Sequence, residues 1–114
     1  MRIINFTKQI VIAEYAQKAD TAFSRIKGLL GRDRLDESEG LIITHCRSIH
    51  MFFMKFPIDV LFVNRANVVI GCVKHIRPFQ MSPYFFRSSY VVELPQGKID
   101  QTRTEKGDVL VLEE

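Results

Sequence analysis

The chain has 114 residues, of which 46% are hydrophobic and 25% charged. This is the size and composition of one globular domain, which excludes a disordered chain and a two-domain protein. The formal charge of +3 is modest, and the basic residues are spread along the chain with only a small cluster at Lys27, Arg32 and Arg34, where nucleic-acid binders concentrate charge on a stripe.

The beginning, MRIINFTKQIVIAEYA, does not read as a signal peptide, because Lys8 and Gln9 interrupt its apolar residues. No apolar run approaches the ~20 residues of a membrane-spanning helix. Two cysteines, Cys46 and Cys72, make no disulfide framework. The expectation is a cytoplasmic protein with reduced thiols, without membrane attachment and monomeric by default.

In chain order, Ile3–Phe6 and Ile10–Tyr15 read as strands around a Thr-Lys-Gln turn. Asp20 is placed as a helix N-cap, followed by an apolar stripe at Phe23, Ile26 and Leu30 and a stop at Gly31. Gly40–Thr44 predicts a strand. Ser48–Phe56 is almost continuously apolar, so a strand there would be covered on both faces. Pro57 marks a break. Ile58–Val63, a turn at Asn64–Asn67 and Val68–Ile76 form a predicted hairpin. The stretch RPFQMSPYFFRSS is a loop with Phe79, Met81, Tyr84, Phe85 and Phe86, too aromatic for disorder. Tyr90–Leu94, a PQG turn and Asp108–Leu112 complete the chain. The fold class expected is mainly β (α+β): a small barrel-like antiparallel or mixed sheet with one short helix.

The segments GLLGR (Gly28–Arg32), EGLII (Glu39–Ile43), HMFFMKFPIDVLFV (His50–Val63), VVIG (Val68–Gly71), VVELPQG (Val91–Gly97) and GD (Gly107–Asp108) resemble, in order, the bacterial and archaeal family known as domain of unknown function 192. The resemblance implies a compact, largely β, barrel-like fold with a helix. It implies no activity, since the family is named for lacking one. Its members often carry an export signal, which the start of this sequence does not display.

Several constellations carry chemistry. Cys46-x3-His50 and Cys72-x2-His75 supply two thiols and two imidazoles, the ligand types of a tetrahedral zinc site. Along a strand, however, positions 72 and 75 face opposite ways, as do Met51 and Met54, so neither metal nor cofactor is expected. Cys46, His50 and Asp59 are the residue types of a thiol hydrolase, but no nucleophile elbow, HExxH or phosphate loop surrounds them. Asp59 alternates onto one strand face with Leu61 and Val63, and Glu93 shares a face with Val91. A carboxylate in such surroundings needs a cation, several N–H donors or a proton. One reading is structural: Asp59 accepts backbone N–H groups near Pro57 and Glu93 pairs with an arginine. The other is functional. There, His50, Met54, Asp59, Glu93 and Phe85 line a pocket or groove beside the 79–86 loop that binds a small molecule or peptide. Arg32 and Arg34 read either as an anion-binding rim or as solvated charges. The leading function is thus a non-catalytic binding module. The alternatives are a small hydrolase or metal-assisted enzyme using Asp59 and His50 with Cys46 or Glu93, and, less favoured by the dispersed charge, a nucleic-acid-associated protein.

Overall fold

A computed structural model describes residues 1–20, 32–51 and 54–114. The elements are β1 (Arg2–Asn5), β2 (Ile10–Ala13), β3 (Tyr15–Ala19), β4 (Glu39–Thr44), β5 (Ile58–Val63), β6 (Val69–Ile76), β7 (Tyr90–Pro95), a short helix α1 (Lys98–Gln101) and β8 (Leu110–Glu113). The helix expected between Asp20 and Gly31 lies outside the described residues.

The strands form two sheets, a three-stranded one in the order β2-β1-β8 and a five-stranded one in the order β3-β4-β7-β5-β6. The second is mixed: β3 and β4 are parallel, and its other pairs are antiparallel. The fold is therefore mainly β with a mixed sheet and a short helix, as expected; among the described residues the strands form two sheets and neither closes into a barrel.

The sequence of β5 and β7 explains their position. All six residues of each are buried, which suits interior strands flanked by partners on both edges and covered on both faces. Alternation then divides the core. Leu61, Val63, Val92 and Leu94 pack with Ile3, Ile12 and Ile99 on one side. Ile58, Val60, Phe62 and Val91 pack with Leu41, Ile43 and Met51 on the other.

Three expectations differ from the structure. The run expected to end at Tyr15 bends at Glu14, and Tyr15–Ala19 leaves the first sheet to pair with β4. Both ends of Met1 tie this crossing down, its ammonium donating to Ala16 O at 3.2 Å and its carbonyl accepting from Ala16 N at 2.8 Å. The apolar run Ser48–Phe56 forms no strand among its described residues. Instead this run meets the 77–82 loop at an isolated His50–Met81 bridge. Finally, the PQG turn opens into α1, a helix too short for periodicity to reveal.

Gly71 in β6 is opposite Phe62 of β5. The Phe85 ring lies on Phe62 with centroids 4.2 Å apart, and a Cβ on Gly71 would sit 2.2 Å from Phe85 Cε1. Glycine here makes room for the anchor of the long loop. Gly71→Ala is expected to destabilise the fold by about 1–3 kcal/mol through overpacking, measured by urea denaturation. Combining it with Phe85→Ala should cost less than the sum of the two single changes, because both act on one contact.

Candidate functional site

The residues selected from the sequence are not brought to one place. Asp59 is fully buried, and both of its oxygens are engaged by main chain: Oδ1 accepts from His75 N at 2.9 Å, and Oδ2 accepts from Gly97 N at 3.1 Å and Ile99 N at 2.9 Å. The donors belong to β6 and to the start of α1, not to the break at Pro57. Gly97, with φ of 92°, caps α1 without a side-chain acceptor of its own, so Asp59 supplies from a neighbouring strand what a local Ser or Asp normally supplies.

Glu93 is opposite Val60 across β7 and β5 and opposite Leu41 across β7 and β4. It faces the side of Ile58, Val60 and Phe62, whereas Asp59 alternates to the other side. The two carboxylates are therefore on opposite faces of one sheet. Glu93 is only 7% exposed, and burial pushes its carboxyl up to about 7. Among the described residues no arginine pairs with it.

Phe85 is the anchor stacked on Phe62, and Met54 is half-buried against the same cluster. His50 is exposed, on the segment bridged to Met81. Cys46 packs beside that cluster, and its thiol donates to Ser48 O at 3.1 Å. Cys72 is half-buried, with its thiol raised to about 11 by burial, far from the thiolate a nucleophile needs at neutral pH. His75 Nδ1 is hydrogen-bonded to Gln96 Nε2 at 2.8 Å. Among the described residues no three His, Cys, Asp or Glu side chains converge as a metal site would require. Arg32 and Arg34 are paired with Glu39 and Asp36 at 3.0 and 3.1 Å, so the rim expected at the end of the predicted helix is internally neutralised.

Two features stand out instead. The first is the long loop. It is held to the 47–51 segment by Phe79 N to Met51 O (2.8 Å), Met51 N to Gln80 O (2.8 Å), Ser82 N to Ile49 O (2.9 Å) and Phe85 N to Arg47 O (2.7 Å). The Ser82 hydroxyl also accepts from Ile49 N at 2.9 Å. Yet Phe79, Met81, Tyr84 and Phe86 remain 62–75% exposed.

The second feature is a pair of adjoining open clefts at one end of the larger sheet. One, of about 540 Å³, is lined by His45, Arg47, Arg65, Ser88 and Ser89. The other, of about 400 Å³, shares Arg47, Arg65 and both serines and adds Phe86 and Arg87. Their origin is topological. Thr44 of β4 and Val63 of β5 both pair with Tyr90 of β7, so the segments beyond these residues emerge side by side. His45 N donates to Ser89 O, and Ser89 N to Val63 O, both at 2.8 Å. The 64–67 turn is stiffened by Asn64 Oδ1, which accepts from Ala66 N and Val68 N at 3.0 Å, and by Tyr90 OH on Asn67 at 2.8 Å.

These features define a small, mainly β domain of two open sheets with a stiff aromatic loop and a basic end. The family model of domain of unknown function 192 (DUF192, uncharacterized ACR) matches residues 4–112, and the chain belongs to that family. It is similar to a UPF0127 protein of Thermococcus sibiricus, 34% identical over 93% of this chain and 71% of that protein. A crystal structure of a protein of unknown function from Novosphingobium aromaticivorans matches with a TM-score of 0.85 at 21% identity, covering 98% of this chain and 84% of the other. One from Sinorhizobium meliloti, provisionally described as a transcription regulator, matches with a TM-score of 0.76 at 20% identity, covering 96% and 89%. Both structural likenesses speak to fold alone. Among the described residues no helix is long and apolar enough to cross a membrane.

Proposed function

We propose that this domain is a non-catalytic binding module whose recognition surface is the 79–86 loop and whose ligand is an extended peptide segment with apolar side chains. One observation carries the reading: a loop fixed by backbone hydrogen bonds and by the Phe85 anchor presents four large apolar side chains to water. Holding such a loop in place before binding lowers the ordering entropy that association must overcome. Aromatic and methionine side chains are also the types enriched in recognition surfaces. Their distribution from Phe79 to Phe86 suits a chain laid along the loop. In the hydrolase reading Asp59 would act with His50 and Cys46, but its oxygens are held by backbone donors on the opposite face of the sheet from the cluster around Cys46.

A displayed library of short random peptides tests the proposal. Enriched sequences should carry aromatic or branched apolar residues, and should bind the Met81→Ser/Phe86→Ser variant roughly tenfold or more weakly, as loss of central contacts does. The variant's melting temperature should stay the same, since both side chains are exposed. Equal enrichment on the variant and the original chain would refute the reading.

A further inference from the structure

Among the described residues, the cleft at the basic end carries no carboxylate in its lining. Seven other described cations do have acidic partners: Arg2, Lys8, Arg32, Arg34, Lys55, Lys74 and Lys98 are all in ion pairs. Arg47, Arg65 and Arg87 are in none among the described residues, nor are Lys18, Arg77, Arg103 and Lys106; what sets the three arginines apart is that they line one cleft. These three come from three different connections, after β4, between β5 and β6, and before β7. They meet only because the strand order β4-β7-β5 places those connections together. Arg47 lies over the exposed Phe86 ring, 5.7 Å from its centroid, which directs its guanidinium without neutralising it.

We infer that this cleft is a binding site for the phosphoryl group of a small phosphorylated molecule. Gathering guanidinium groups without counter-charge is unfavourable in the empty protein, and a doubly charged anion relieves it. Guanidinium forks match the oxygens of a phosphoryl group in pairs. Ser88 forms part of the floor: it is buried, and its hydroxyl donates to Tyr90 O at 3.2 Å, which leaves Ser89 and the three arginines to meet the ligand. The volumes of about 540 and 400 Å³ fall in the size range of small-molecule sites. Phe86 offers an apolar wall to whatever bears the phosphoryl group. The site shares only Phe86 with the proposed peptide surface.

The test is a titration of the ¹⁵N-labelled chain with inorganic phosphate, phenyl phosphate and a short single-stranded oligonucleotide, each against sodium chloride at matched ionic strength. Saturable shifts confined to residues 44–48, 63–67 and 86–90 are expected with phosphate or phenyl phosphate. Tighter binding of phenyl phosphate would mark an organic phosphomonoester as the natural class, and equal binding would mark free phosphate; either supports the site. Arg65→Gln, an exposed change on a turn, should weaken binding roughly tenfold, as expected for loss of one charge-assisted partner, and Arg47→Gln should do likewise. The Phe79→Ser/Met81→Ser variant should bind phosphate unchanged, which separates a failure of this site from a failure of the peptide surface. Non-saturating shifts that follow ionic strength, or equal affinity in Arg65→Gln, would overturn the inference. So would an oligonucleotide that binds far more tightly and over a wider footprint than either small anion.

Discussion

Replacing Asp59 by alanine is expected to destabilise the protein by about 3–6 kcal/mol, because three backbone donors lose their acceptor at once and an unsatisfied buried donor costs ~1–3 kcal/mol. This is comparable to the whole stability of a small domain, typically about 5–15 kcal/mol. The donors are His75 N, Gly97 N and Ile99 N, so the loss also frees the start of α1 from β5 and removes a tie at the irregular end of the β5–β6 ladder. Asp59→Asn keeps one acceptor oxygen and turns an amide towards the remaining donors; about half the effect is expected. Urea denaturation gives both values, and hydrogen exchange at residues 97 and 99 should accelerate before global unfolding. A change of less than about 1 kcal/mol in the alanine variant would contradict the capping role.

Glu93 makes a second large effect, dependent on pH. Its carboxyl is pushed up to about 7 in the folded protein by burial, from an ordinary value of 4.5. Well below pH 4.5 the group is protonated in both states and contributes no difference. Between 4.5 and about 7 the unfolded chain releases the proton while the folded chain keeps it, so stability falls as pH rises. Above about 7 the full penalty is present and constant. Each tenfold weakening of a buried acid corresponds to about 1.4 kcal/mol, so the loss is roughly 3 kcal/mol. Glu93→Gln should match the original chain near pH ~4 and exceed its stability by about that amount at pH ~8. Other carboxylates act in the opposite sense: Glu39, beside Arg32, and Asp100, beside Lys74, are held below their ordinary values. The comparison between variant and original at each pH removes their contribution. Parallel stability curves for the two proteins would show that Glu93 is not ionising against burial.

Asp59 and Glu93 also show how far the chain can be read without its coordinates. Period-two alternation correctly separates Ile58, Val60 and Phe62 from Leu61 and Val63, and it flags both carboxylates as sitting among apolar neighbours. It cannot say whether two strands distant in sequence turn the same residues to the same side. That depends on register, and the pairing of Asp59 with Leu94 and of Val60 with Glu93 puts the two acids back to back. A shared pocket is consistent with each strand alone and inconsistent with the sheet. Likewise, the continuous apolarity of Ser48–Phe56 signals burial but not which distant segment the run meets, here the 77–82 loop.

The arginine cluster has no local signal at all. Arg47, Arg65 and Arg87 are far apart in sequence, each in an ordinary loop, and only the order of the larger sheet makes neighbours of them. The sequence by itself determined a mainly β domain, the strands at Ile58–Val63 and Tyr90–Leu94, the hairpin at Asn64–Asn67 and a loop too aromatic for disorder, because each rests on patterns among residues close along the chain, and its ordered motifs carried the family resemblance. Tertiary structure alone decided that the sheets stay open, that Asp59 caps a helix forty residues downstream and where positive charge accumulates without a partner. Those outcomes depend on which strand ends meet in space, and strand order is fixed by the packing of the whole chain.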